Sequence, residues 1–155
     1  MNSEAPVEIY FSYAHQDEEL RDELERHLIL LERQRLAKFW YDRKIQAGEL
    51  WAPKIQLHLN TAHIILLLIS HHYFDSNWCI EIELERAIDR YKAGEARVIS
   101  ILLDLPNLTT QSLENLPVLP TNSKPVVEWK DRNEAFKNIS DGIWSAVTSG
   151  LPHKF

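Results

Sequence analysis

The stretch SHHYFDSNWCIEIELERA, from Ser70 to Ala87, carries the residues best suited to chemistry. Apolar residues recur there at helical spacing and define a face that packs on a sheet, namely Ile80, Leu84, Ala87, Ile88 and Tyr91. Glu81 and Glu83 fall on the two flanks of that face, about 80° from its centre at roughly 100° per residue. The spacing makes both glutamates candidates for half-buried carboxylates near the start of a helix, where the dipole favours negative charge. The alternative is a pair of solvated first-turn acids.

Cys79 is the single cysteine of the chain, and it comes one helical turn before Glu83. A thiol at the start of a helix can act as a nucleophile. No Cys-His or Ser-His-Asp motif accompanies Cys79, so a small buried residue is the preferred interpretation. His71 and His72 are adjacent and diverge in a predicted loop, and no Cys or His pair has the spacing of metal ligands. We therefore expect no metal site.

Apolar runs and amphipathic stretches alternate along the chain, which is typical of βαβ units around a parallel sheet. The predicted strands are 7–12, 37–41, 62–70, 97–103 and 126–129. The predicted helices are 18–31, 51–60, a helix from an N-cap within 75–77 to about 93, and 133–148. The prolines at 106, 117 and 120 favour an irregular connection before the last strand. This pattern predicts an open, doubly wound α/β sheet.

Such a sheet binds its ligands beyond the carboxyl ends of the strands, near the point where the strand order reverses. Trp51, Trp78 and Trp129 lie at loop margins, where aromatic walls can stack a planar ring or serve as ordinary packing. Arg43 and Lys44, in the polar loop after the second strand, can meet a pyrophosphate or form a solvated turn.

Length and charge narrow the class of protein further. The chain has 155 residues, a length that favours one domain over 1–155. Its formal net charge of −6 argues against direct binding of nucleic acid. No apolar run is long enough to span a membrane, and the start lacks the pattern of a signal peptide. With 4 glycines, the chain has neither of the common phosphate-cradling loops, GxGxxG and GxxxxGK[ST].

Four stretches of the chain, in order and spacing, resemble a bacterial Toll/interleukin-1 receptor (TIR) domain. They are EIYFSYAHQDE at 8–18, FWYDRKIQAGELW at 39–51, ILLLISHHYFDSNWCIEIELERA at 65–87 and PVVEWKDRNEAFKNI at 125–139. The resemblance implies a flavodoxin-like open sheet of five parallel strands in the order 2-1-3-4-5, with helices on both faces. It also implies that the segment from Asp42 to Leu50 is the BB loop of such domains.

The same resemblance implies an enzyme that takes NAD⁺ as its substrate and needs no cofactor. Many bacterial TIR domains resemble NAD⁺ glycohydrolases, which cleave the bond between nicotinamide and ribose in cells infected by phage. Their essential glutamate follows an aromatic-Cys pair in the helix after strand three, and the register of NWCIEIEL assigns it to Glu83. Animal TIR sequences usually place this glutamate four residues after the tryptophan, where this chain has Ile82, so Glu81 remains the second choice.

The resemblance and the positions together imply a set of substrate-binding residues, which are Phe11, Tyr13, Asp42, Arg43, Trp51, Ser70 and Trp78. The implied partners are further copies of the chain, which meet through the BB loop in filaments, and an attached sensor domain that is not present here. The implied location is the cytoplasm. Two alternatives stay open: a non-catalytic signalling scaffold that acts through contacts between TIR domains, and a cyclase that makes a cyclic ADP-ribose messenger.

Overall fold

Five parallel strands form one sheet in the order β2-β1-β3-β4-β5, as predicted. The computed structural model describes residues 5–42, 51–104 and 116–149, so the predicted loop lies outside the described residues except for Asp42. The strands are β1 Val7–Ser12, β2 Ala37–Trp40, β3 Ile64–Ile69, β4 Arg97–Leu102 and β5 Val118–Leu119. The helices are α1 Glu18–His27, α2 Ile29–Arg33, α3 Trp51–Thr61, α4 His71–Asp75, α5 Glu85–Lys92 and α6 Arg132–Thr148, with a π-helical segment, Cys79–Leu84, directly before α5.

Strand β3 lies at the centre of the sheet and is apolar on both faces. Each of its six residues is at most 2% exposed. Ile64, Leu66 and Leu68 pack into one core, and Ile65, Leu67 and Ile69 pack into the other. Full burial of one such side chain stabilises the fold by about 1.5–3 kcal/mol, so β3 anchors both cores.

Helices cover both faces of the sheet, as the resemblance implies. Helices α1, α2 and α6 pack on the face that receives Phe11 of β1. Helices α3, α4 and α5, with the π-helical segment, pack on the face that receives Tyr10. The alternation of β1 side chains between the two faces therefore decides which of its residues can meet Glu83. Within the described residues, no helix is both long and apolar enough to cross a membrane.

The predicted fifth strand, 126–129, is wrong. Val126–Glu128 forms a 3₁₀ turn, and the fifth strand is instead Val118–Leu119, which pairs with Ser100 and Ile101 of β4. The prolines at 117 and 120 suggested irregular structure, but an edge strand of two residues tolerates them because one side of it needs no partner. Trp129 therefore follows a turn, and its indole donates to the carbonyl of Lys124 at 2.8 Å.

The predicted helix 18–31 is divided into α1 and α2 at Leu28, whose φ of −105° and ψ of 4° depart from helical values. Leu24, Leu28 and Leu31 are nevertheless fully buried in one core, so the apolar face that predicted the helix is correct.

Arg90 of α5 fixes the far end of α3, the helix whose first residue is Trp51. Its guanidinium is 6% exposed and donates to the carbonyls of Leu59 at 2.9 Å, Ala62 at 2.7 Å and Glu95 at 3.1 Å. Carbonyls at the end of a helix have no partner within the helix, so this side chain supplies one.

We expect Arg90→Met to lower the free energy of unfolding by roughly 3 kcal/mol, because it leaves buried carbonyls without a donor. Arg86→Met is the matched control, since Arg86 is exposed on the same helix and bonds only the exposed Asn60 side chain among the described contacts. Its expected effect is below about 1 kcal/mol. Urea unfolding of both variants measures the difference, and equal losses would contradict the role assigned to Arg90.

Candidate active site

The carboxylate of Glu83 is buried at the carboxyl end of β1, where it accepts three hydrogen bonds. The side chain is 4% exposed. Its Oε2 accepts from the hydroxyl of Tyr10 at 2.5 Å and from the indole Nε1 of Trp78 at 3.1 Å. Its Oε1 accepts from the hydroxyl of Ser12 at 2.6 Å. Strands β1 and β3 are neighbours at the point where the strand order reverses, so Glu83 lies where open α/β sheets bind ligands.

The π-helical segment selects Glu83 and not Glu81 for burial. Residues 77–92 are helical, and the Ser76 hydroxyl accepts from the backbone N–H of Cys79 at 3.1 Å, as an N-cap serine does. Cys79 and Leu84 are five residues apart and both are buried, which is the spacing of a π-helical turn. Regular α-helical spacing predicted that Glu81 and Glu83 are buried to the same extent. The wider turn makes this prediction wrong, because it buries only Glu83.

Glu81 points away from this site. It is exposed and lines a surface cavity of about 330 Å³ together with Glu85 and Asp89 of the same helical stretch and Asn60 of α3. A carboxylate in that position remains solvated, which was the alternative for both glutamates.

Opposing effects act on the charge of Glu83. Burial raises its pKa, and the hydrogen bonds from Ser12, Tyr10 and Trp78 lower it because they favour the ionised form. The negative charge of Asp42 adds a smaller increase. The pKa of Glu83 therefore remains above the ordinary value for a glutamate.

Stacked rings hold the Tyr10 hydroxyl in place beneath the carboxylate. The Tyr10 ring stacks on Trp40 with centroids 5.4 Å apart, and Trp40 stacks on His58 at 4.3 Å. Burial and the nearby Glu83 raise the pKa of Tyr10, so it keeps its proton and acts as a donor.

Ser70 connects the segments that follow β1 and β3. It is fully buried, donates to the carboxylate of Asp17 and accepts from the backbone N–H of Tyr73 at 3.0 Å. Ser70 is therefore the N-cap of α4, a helix that the sequence pattern did not predict. Its predicted role in binding substrate is corrected to a structural one, because its side chain is fully buried and its one hydroxyl proton is donated to Asp17. Burial raises the pKa of Asp17 as well.

Trp51 and Trp78, predicted from separate loop margins, meet at the solvent side of Glu83. Their ring centroids lie 4.4 Å apart, and Trp51 is 46% exposed. Trp78 is half-buried and carries the indole N–H that bonds Glu83. The two rings thus form an aromatic surface that leads from solvent to the carboxylate.

The other predicted binding residues have three different outcomes. Tyr13 donates to Asp42 at 3.3 Å, and His15 Nε2 lies 2.7 Å from the same carboxylate, so these residues fix the start of the predicted loop. Phe11 is 1% exposed in the core on the opposite face, edge-on to Phe39, so we correct its predicted contact with substrate to a packing role. Arg43 lies outside the described residues.

Cys79 has the properties of a packing residue. Its side chain is 3% exposed, and burial with the nearby Glu83 charge raises the pKa of its thiol to about 12. The thiol therefore carries a proton at neutral pH and is a poor nucleophile. Across the described ranges, no group of three or more His, Cys, Asp or Glu residues is arranged to hold a metal ion.

Three residues of this site, Tyr10, Ser12 and Tyr73, were missing from the predicted set. Tyr10 and Ser12 are two positions apart, so their hydroxyls emerge on one face of the predicted strand. Buried hydroxyls require hydrogen-bond partners. This requirement could have predicted Tyr10 and Ser12 as part of the site. Tyr73 had no comparable signal, since its position depends on the unpredicted helix α4.

Comparison with known proteins decides the family. The family model described as "TIR domain" matches residues 9–139. The chain belongs to this family. The TIR domain is also 41% identical over 139 residues to the uncharacterized protein y4lF of Sinorhizobium fredii, a match that covers 90% of this chain and 43% of that protein. The chain thus spans less than half the length of this curated relative.

A solved structure supports the fold of this TIR domain. The crystal structure of the TIR domain of the Toll-related receptor TRR-2 from Hydra magnipapillata aligns with a TM-score of 0.58, and the alignment covers 88% of this chain and 97% of that one. The sequences are 18% identical, so this likeness concerns the fold alone.

We expect Glu83→Gln to stabilise the TIR domain increasingly as the pH rises. The raised pKa means that the folded state holds this proton more tightly than the unfolded state does. Stability of the unmodified chain therefore falls as the pH rises from the ordinary glutamate pKa through the raised value, and Glu83→Gln lacks this loss. Urea unfolding over a pH series measures the effect, with Glu81→Gln as the matched control. A stability difference that is constant with pH would contradict it.

Proposed function

We propose that this TIR domain is an NAD⁺ glycohydrolase in which Glu83 stabilises the reacting ribose. The observation that carries the proposal is the buried Glu83 carboxylate at the switch point of the sheet. Its raised pKa means that keeping it charged there destabilises the fold. Perturbed titratable groups of this kind cluster at functional sites, and a surface used only for docking has no need of one.

The chemistry suits a single carboxylate. Cleavage breaks the bond between C1′ of the ribose and the nicotinamide nitrogen, and the bonding electrons leave with nicotinamide, which departs neutral. No general acid is needed, unlike ordinary glycoside hydrolysis, which typically uses two carboxyl groups. The sugar develops positive charge, water adds to C1′ and releases a proton, and ADP-ribose results. A fixed anion in a dry site stabilises that developing charge.

The aromatic surface beside Glu83 supports the same substrate class. Trp51 and Trp78 are in contact at the solvent side of the carboxylate with their rings inclined at 40°, and planar rings such as nicotinamide stack on aromatic surfaces. Asp42 and Tyr13 are proposed to contribute at the margin, where they are held together by a hydrogen bond. Arg43 remains a proposed partner for the pyrophosphate.

We expect Glu83→Gln to lower the rate of NAD⁺ cleavage at least about 100-fold, because it removes the negative charge that faces the transition state. Glu85→Gln is the matched control and retains activity within about two-fold, since Glu85 is exposed on the same helical stretch. Chromatography with mass detection follows nicotinamide and ADP-ribose.

Other results of this assay would favour a different residue or a different function. Loss of activity in Glu81→Gln with activity kept in Glu83→Gln would transfer the role to Glu81. A product one water lighter than ADP-ribose would identify the cyclase alternative. Absence of any product with clustered protein would favour the signalling scaffold.

We further propose that activity depends on self-association in the cytoplasm as part of an antiphage response. TIR domains generally self-associate through contacts between TIR domains. The matched region is 43% of the length of the y4lF protein, so that relative has a further segment, and a sensor segment attached to this domain is part of the proposal. Head-to-tail contacts between copies that do not close into a ring would produce filaments.

We expect the rate per protomer to rise with protein concentration or with a crowding agent, because contacts between copies bring the domain into its active arrangement. Parallel light scattering and NAD⁺ assays measure assembly and rate together. A rate per protomer that stays constant while assembly increases would contradict this dependence.

A further inference from the structure

The hydroxyl groups beneath Glu83 form a chain with a defined direction. Ser12 has one hydroxyl proton, and an ionised carboxylate only accepts, so Ser12 donates to Glu83 Oε1 across 2.6 Å. The 2.8 Å contact between the hydroxyls of Ser12 and Tyr73 is then a bond donated by Tyr73. Tyr10 donates to Oε2. Every hydroxyl in the chain therefore directs its proton toward the carboxylate.

The partners of Glu83 differ in how easily a ligand can replace them. Tyr10 is 1% exposed, and Ser12 and Tyr73 are fully buried, so solvent reaches none of these hydroxyls. Trp78 is half-buried beside the exposed Trp51, and its 3.1 Å bond is the longest of the three to the carboxylate. Among the hydrogen-bond partners of Glu83, Trp78 is therefore the one that a ligand from solvent can reach.

An ionised carboxylate offers about four lone-pair directions, and three of them are occupied by the described partners. The remaining direction belongs to Oε1. If the Trp78 indole no longer bonds Oε2, each carboxylate oxygen of Glu83 has one lone pair free. Two neighbouring hydroxyls of one ligand can then donate to both oxygens.

We propose that Tyr10, Ser12 and Tyr73 are positioning residues that hold Glu83 from below, and that a hydroxyl of a ribose diol replaces the Trp78 indole on Oε2. This inference rests on the proposed function and adds to it the residues that orient the carboxylate. It also assigns Trp78 two states, bonded to Glu83 without substrate and released from it with substrate.

The first test compares two buried serines, Ser12 of β1 and Ser100 of β4, on strands that are separated by β3. Ser12→Ala removes a donor to Glu83, whereas Ser100→Ala removes a hydroxyl that is 2% exposed and has no hydrogen-bond partner among the described residues. The Glu83 carboxyl pKa is measured by carbon NMR of side-chain-labelled protein. Tyr10→Phe gives a second, independent loss of a donor.

We expect the pKa of Glu83 to rise by about one pH unit or more in Ser12→Ala and in Tyr10→Phe, and to stay unchanged in Ser100→Ala. The groups that face Glu83 in these titrations are Tyr10 from β1, Tyr73 from α4, Cys79 from its own helical segment and Asp42 after β2. The acid limb of the kcat profile moves to higher pH by the same amount. A Glu83 pKa that is the same in Ser12→Ala, Tyr10→Phe and Ser100→Ala would overturn the positioning role.

The second test follows the Trp78 indole N–H by nitrogen-edited NMR while ADP-ribose is added. We expect its resonance to move upfield at saturation, as a hydrogen bond to a carboxylate is lost. A resonance that stays in place while other signals show that ADP-ribose is bound would overturn the exchange.

Failure of this inference and failure of the proposed function give different results. A wild-type chain without NAD⁺ cleavage but with the expected pKa changes removes the proposed reaction and leaves the positioning of Glu83 intact. Cleavage that depends on Glu83, with no pKa change in Ser12→Ala or Tyr10→Phe, leaves the reaction intact and removes the positioning residues.

Discussion

A carboxylate buried between a parallel sheet and a helix requires hydrogen-bond donors, and much of this structure follows from that requirement. Two donors come from β1, which explains why this interior strand carries Tyr10 and Ser12 on one face. The third comes from Trp78, which lies at the entrance. Burial outweighs these bonds and raises the pKa of Glu83, so the ionised carboxylate lowers the stability of the fold.

The π-helical segment helps to meet this requirement for donors, because it brings Trp78 to Glu83. Trp78 and Glu83 are five residues apart, so one widened turn brings the indole N–H over the carboxylate. The same turn pairs Cys79 with Leu84 in the core and leaves Glu81 in solvent. Widened turns of this kind occur often at functional sites, because a regular helix would not align these side chains.

The sequence was sufficient for four of the five strands and insufficient for the fifth strand and for the details around Glu83. Strand β1 has the predicted bounds, and the uninterrupted apolar run of β3 correctly indicated a strand covered on both faces. Hydrophobic periodicity is local, so it carried this information. The fifth strand was misplaced because its two residues, Val118–Leu119, are too short to show a pattern. The π-helical turn has no periodic signal at all, and therefore spacing alone left Glu81 and Glu83 equivalent.

The two edges of the sheet restrict how copies of the chain can meet. In the described part of the chain, the edge strand Ala37–Trp40 has four residues and an exposed lysine, Lys38. The opposite edge, Val118–Leu119, has two residues between prolines. Short edges with charge or proline offer few backbone groups for another strand to pair with. Growth of the sheet from one chain into the next is therefore disfavoured, so ordered assemblies of this domain are expected to be built through helices and loops, without the continuous β-ladder of an amyloid.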